Sequence, residues 1–184
     1  RGPTEGFVQM ALSEGIIVVA ASGNFKDKVV PGEFKPGISS PACVKNVLSV
    51  GAINKEEKII KLSQGASILD IVAPGHSINS SITGVETYKE FKGTSMAAPH
   101  VAGAIAILRQ AMPGATPQEL IRALKNSGRK VVDPYLNNIK TGTLDISAAL
   151  HLLGYKNKSA PKRKPSPIPK KSTISTPPPK SSVG

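Results

Sequence analysis

The stretch FKGTSMAAPHVAGAIAIL, Phe91 to Leu108, sets a single serine, Ser95, after a Gly-Thr step and ahead of a long run of small apolar residues. Ala97, Ala98, Ala102, Gly103, Ala104 and Ala106 accompany Val101, Ile105 and Leu108. Small residues on nearly every face predict a helix packed closely on all sides, running through the core. Pro99 falls about one turn in, where a missing N–H costs least, so the helix starts near Ser95. Its free N–H groups and positive dipole end favour negative charge at that point. Three readings of Ser95 then compete. The plainest is an N-cap, the commonest reason for a hydroxyl in this position. A phosphate loop needs Lys after its last Gly and then Ser or Thr, whereas Lys92 precedes Gly93, so that order is wrong. The third is a nucleophile at a helix N-terminus, which requires a base and an oxyanion donor from elsewhere.

A donor candidate lies upstream. IIVVAAS, Ile16 to Ser22, has no polar alternation until its end, which predicts a strand in the middle of a parallel sheet covered by helices. It runs into Gly23 and Asn24, placing an amide side chain at the carboxyl edge of the sheet, where α/β proteins build their sites. Ordinary turn formation is the alternative for Asn24. VLSVGAI from Val47 and LDIVAPG from Leu69 are further short β-branched runs ending near glycine. Helices complete the pattern. GPTEGFVQMALSEG offers Thr4 as N-cap, an apolar face of Phe7, Val8, Ala11 and Leu12, and Gly15 as the stop. ATPQELIRALKNSG has Thr116 as N-cap, Pro117 at the first position, Glu119 closing a capping box and Gly128 as the stop. LDISAALHLLG makes a last short helix with Asp145 as cap and Gly154 as its end. Helices and strands mixed in this way predict the α/β class with a mostly parallel sheet between helices.

The 184 residues suffice for one domain with a hydrophobic core. We place that domain at residues 1–154 and a tail at 155–184. The tail is dominated by Lys, Pro, Ser and Thr, and such a segment buries too little apolar surface to offset its ordering entropy. Disorder with polyproline II character is expected there. Net charge is +12, but eight of the 24 basic residues and none of the acidic ones lie between Tyr155 and Gly184. The basicity is therefore mostly the tail's, and with only 4% aromatic residues no nucleic-acid partner is expected. No apolar run approaches a membrane span, and no signal peptide is visible. Cys43, the single cysteine, sits in PACVKNVLSV and is expected to be a small buried hydrophobe. The long Gly- and Pro-rich loop from Gly23 to Ala42 is of the kind that carries recognition. The chain opens at Arg1 in the approach to a helix, which reads as a cut rather than a natural start.

GTSMAAPHVAG, Gly93 to Gly103, closely resembles the active-site serine signature of the subtilisin-like serine proteases, and VVAASGN, Val18 to Asn24, resembles their oxyanion segment. SPACVKNVLSVGA, LDIVAPG and TGTLDISAAL resemble the family's later strands and closing helix in the family's order. The resemblance implies a three-layer subtilisin-like fold, here as the C-terminal part of the catalytic domain. It implies that Ser95 is the nucleophile of a serine endopeptidase and that Asn24 donates to the oxyanion, joined by the Ser95 backbone N–H. Ala20, Ala21, Ser22 and Gly23 would line the substrate pocket, and Thr94 with Met96 would flank the nucleophile. Polypeptides are the implied substrates, a monomer the implied state, and secretion or the cell envelope the implied location.

The chain departs from the family in one large respect. The triad also needs an Asp in a D-[ST]-G setting and a His in an H-G-T setting, upstream of the oxyanion segment, and neither motif occurs. His76, His100 and His151 lie in other segments, as do Asp70 and Asp145. The expectation is that upstream residues outside this chain carry the pair and that the chain alone is inactive. A peptide-binding pseudoprotease is the alternative. No cofactor or metal is expected from this portion; structural calcium, which the family often binds, would come through residues outside it. The tail is expected to act as a flexible linker or as an arm toward anionic cell-surface polymers, with PKRKP as a less apt nuclear localisation patch.

Overall fold

A computed structural model describes residues 3–25, 37–84 and 87–156. Helix α1 (Pro3–Ser13) leads into β1 (Val19–Ala21), followed by β2 (Leu48–Ile53) and β3 (Ile71–Pro74). A hairpin of β4 (Ile78–Ser81) and β5 (Tyr88–Phe91) comes next, then helices α2 (Thr94–Ala111) and α3 (Pro117–Ser127). The strands β6 (Lys130–Asp133) and β7 (Ile139–Thr143) and helix α4 (Ile146–Leu152) complete the order. Five strands form one sheet in the order β1-β2-β3-β7-β6. The first four are parallel, with Ala20 opposite Ser49, Val50 opposite Ile71 and Val72 opposite Thr143, while β6 runs antiparallel at the edge.

Burial explains the composition of the strands. Every residue of β2 is buried, as are Ile71, Val72 and Ala73 of β3, because both faces of the sheet are covered. On one face Leu48, Val50, Ala52, Ile71 and Ala73 pack with Ala97, Val101, Ala104, Ile105 and Leu108 of α2 and Leu120 and Leu124 of α3. On the other, Val8 of α1 packs with Ala20, Ala42 and Val47. The result is the three-layer α/β arrangement, with all three parallel runs read from sequence present as strands.

Several expectations are corrected. α2 is covered along one side only: Ala102, Gly103, Ala106 and Ile107 are exposed, because small residues allow close packing but do not require a neighbour on every face. α1 begins at Pro3, so Thr4 lies inside the helix and is not its cap; Pro is suited to a first position, where no N–H is needed. Phe7 points outward. The strand begun at Ile16 is shorter than its apolar run, which enters the sheet only at Val19. Cys43 is a free, exposed thiol: it lies in the turn before β2, where Ala42 and Val47 take the buried positions. The strands β4 to β7 had no sequence expectation. The expected tail lies, from residue 157 onward, outside the described residues, as do residues 26–36 of the proposed recognition loop.

The cap signals of α3 and α4 are borne out. Thr116 and Glu119 make the reciprocal capping box of α3, and Asp145 accepts from the Ala148 N–H at 2.9 Å to cap α4. Thr116→Ala should lower stability by about 1 kcal/mol in urea unfolding. The Glu119 carboxylate is held below its ordinary value of 4.5, first by the Thr116 backbone N–H and next by the Thr116 hydroxyl. A depressed folded-state value adds stability above the unfolded value that is lost as pH falls through the folded one. The difference between parent and Thr116→Ala should therefore shrink as the solution is acidified below the unfolded value.

Candidate active site

The carboxyl ends of β1 and β3 and the amino end of α2 meet at one place. β1 delivers Ser22, Gly23 and Asn24; the segment after β3 delivers Gly75; β5 delivers Gly93, Thr94 and Ser95. The Gly93 N–H donates to the Gly75 carbonyl at 2.7 Å, fixing the entry of α2 over the sheet edge. Gly93 is the N-cap residue, with φ at 140° and no side-chain capping bond. It lies against the Asn24 amide so closely that an added Cβ would sit 2.9 Å from Nδ2. Both constraints exclude a larger residue there.

Asn24 does not serve as a local turn former only. Its Oδ1 accepts from the Thr94 N–H at 2.9 Å and from the Thr94 hydroxyl at 3.1 Å. A backbone N–H can only donate, so the atom facing it is the oxygen, and Nδ2 is left with no partner among the described residues. The Thr94 hydroxyl in turn accepts from the Gly23 N–H at 3.2 Å. Thr94, wholly buried, thus ties the last turn of β1 to the first residue of α2. This bond pattern could not be read from sequence, since the partners stand 70 and 71 positions apart.

Ser95 is the second residue of α2, exposed, and its hydroxyl makes no capping bond. The N-cap reading is therefore not the one the fold adopts. The Ser95 backbone N–H is also without a partner among the described residues. The Ser95 hydroxyl, the Ser95 N–H and the Asn24 amide nitrogen, all unbonded among the described residues, thus belong to the corner where the end of β1 is tied to the N-terminus of α2, where a helix end favours negative charge.

The remaining sequence-predicted residues lie along the strand that ends here. Ser22 is buried and donates its hydroxyl to the Gln64 carbonyl at 2.7 Å; Ala20 packs beneath α1, and Ala21 is half-buried. His100 donates its Nδ1 hydrogen to the Met96 carbonyl at 2.8 Å, and His76 pairs with the neighbouring Ser77. His151 is on α4. Asp70 is bonded to Ser49 and to Lys125, at 2.9 and 2.5 Å, and Asp145 accepts from the Ala148 N–H as the cap of α4. Sequence reading missed Gln64 and Ser39, which back the Ser22–Asn24 turn; an isolated Gln and Ser in loops carry no local signal. Among the described residues no group of three His, Cys, Asp or Glu side chains is placed to hold a metal ion.

The model of the subtilase family matches residues 4–142. The chain belongs to the subtilase family. It is 41% identical to subtilisin BL of Lederbergia lenta over 123 residues, covering 67% of this chain and 42% of that protein. It is 36% identical to subtilisin amylosacchariticus of Bacillus subtilis subsp. amylosacchariticus over 149 residues, covering 77% of this chain and 35% of that protein. Among solved structures, the self-cleaved protease domain of PatA is similar at a TM-score of 0.67 with 28% identity, over 84% of this chain and 56% of that one. The prenylagaramide maturation protease PagA is similar at 0.69 with 25% identity, over 81% of this chain and 55% of that one. The subtilase chain thus spans less than half the length of the curated relatives it matches. No helix among its described residues is long and apolar enough to cross a membrane.

Thr94→Val keeps the shape of this link but removes its hydroxyl and leaves the Gly23 N–H without an acceptor. The variant should lose about 1–3 kcal/mol of stability, read as a lower midpoint in denaturant at unchanged slope.

Proposed function

We propose that this subtilase chain is the nucleophile-bearing part of a secreted serine endopeptidase that cleaves polypeptides through an acyl-enzyme at Ser95. The observation that carries the proposal is the bonding of Asn24: with Oδ1 committed to Thr94, the residue before Ser95, the donating Nδ2 is left without a partner among the described residues, as is Ser95. In this reading Ser95 Oγ attacks the scissile carbonyl while Asn24 Nδ2 and the Ser95 N–H receive the developing oxyanion. The chain from Ala21 to Gly23 borders the pocket for the acyl-side residue, whereas Ala20, packed beneath α1, takes no part, and Thr94 positions the donor.

The proton of Ser95 needs a base, and we assign that base and its orienting Asp to residues outside this chain. His100 spends its Nδ1 hydrogen on its own helix, and Asp70 and Asp145 are bound to structural partners. The surface leaves room for such a contribution. Among the described residues β1 pairs only with β2, leaving its other edge unpaired, and α2 exposes Ala102, Gly103, Ala106 and Ile107. A further part of the domain covering that edge and face would bring a base to Ser95 and remove a liability for edge-to-edge association.

The full-length protein and its Ser95→Ala copy, treated with a fluorophosphonate probe, test this. Labelling of the parent alone is the expected result; a folded parent that does not label would sink the proposal and favour a peptide-binding pseudoprotease. Residues 1–184 alone should show no peptidase activity above background. In the full-length enzyme Asn24→Ala should lower kcat by about 10² to 10³, a range measured in subtilisin itself and adopted for this relative.

A further inference from the structure

The Ser22–Gly23–Asn24 turn is held from two sides, and only one of them is Thr94. On the other side stands Gln64, from the loop between β2 and β3. Its backbone N–H donates to the Gly23 carbonyl at 2.9 Å, and its carbonyl accepts from the Ser22 hydroxyl at 2.7 Å. Its side chain folds over the turn: Oε1 accepts from the Ser39 hydroxyl at 2.7 Å, and the Ser39 N–H reaches back to the Ser22 carbonyl at 2.9 Å. The carboxamide lies directly on Gly23, so that a Cβ built there would fall 1.8 Å from Oε1 and 2.8 Å from Cδ.

Gly23 has φ at +111°, a conformation side chains rarely adopt, and the Gln64 carboxamide occupies the space a side chain would need. A glycine at the hinge of a donor is also a weakness, because nothing of its own restrains it. The restraint comes from its neighbours: Thr94 bonds its N–H on one side, and Gln64 covers its Cα on the other.

We propose that Gln64 is a positioning residue for the oxyanion donor, holding Gly23 so that Asn24 Nδ2 stays aimed beside Ser95. The assignment rests on the role given to Asn24 above. Gln64 touches no reacting atom; it acts through the turn. Ser39 is its brace, keeping the carboxamide against Gly23 by a bond that leaves the Gln64 Nε2 donors unused within this network.

The test uses the full-length enzyme with a peptide p-nitroanilide. Gln64→Ala should lower kcat about 10-fold while KM changes less than about twofold, the signature of a donor displaced rather than of a binding contact removed. In an Asn24→Ala background the same substitution should change kcat by less than about twofold, since a residue acting through Asn24 has nothing left to position. Gln64→Met refills the space over Gly23 without the Ser39 bond; it should recover part of the lost kcat, and it keeps the question answerable if the alanine variant unfolds. Equal losses of kcat in both backgrounds, or a raised KM at unchanged kcat, would overturn the assignment. The underlying reading fails separately: it falls if the parent does not label with fluorophosphonate or if Asn24→Ala retains parental kcat, and the assignment falls with it.

Discussion

The hydrogen bonds between Thr94 and Asn24 join the amino end of α2 to the carboxyl end of β1, and the geometry of the site depends on them. Each of the two groups could be satisfied otherwise: a helix N–H by water, an Asn side chain by its own turn. Bonded to each other, they convert two ordinary chain ends into one fixed corner. The oxygen of the amide is spent in that bond, which leaves its nitrogen unbonded among the described residues. Gly93 permits the approach, since any side chain there would meet the amide.

That corner stands on the packing beneath it. α2 is held by Ala97, Val101, Ala104 and Leu108 against the buried faces of β2 and β3, and alanine at two of those positions lets the helix lie close to the sheet. The register of β1 against β2 sets how far Asn24 projects past the sheet edge. The same helix leaves its other side bare. Thus one element both carries Ser95 and forms the border of the covered core.

The parts of the molecule legible from sequence are those whose physics is local. The cap of α3 was readable because Thr116, Pro117 and Glu119 act within one turn, and β2 and β3 because strands buried on both faces read as short, largely apolar β-branched runs. β6 and β7 were not, because KVVD and IKTGT are short, partly exposed and indistinguishable from loop by pattern. Cys43 misled for a related reason. An apolar neighbourhood in sequence gives the side of the chain that is buried only where a strand or helix imposes a period, and Cys43 lies in a turn.

By itself the sequence determined the helices, the buried strands, their class and, through the GTSMAAPHVAG and VVAASGN motifs, the family to which the chain belongs. Only the tertiary structure decided that Ser95 is no cap, that the Asn24 amide commits its oxygen to Thr94, that Gln64 lies over Gly23 and that one flank of α2 is open. The physical reason is separation along the chain. Caps and strand periods are set by neighbours a few residues away, whereas each of these features is fixed by partners tens of residues distant, whose meeting is determined by how the sheet and helices pack.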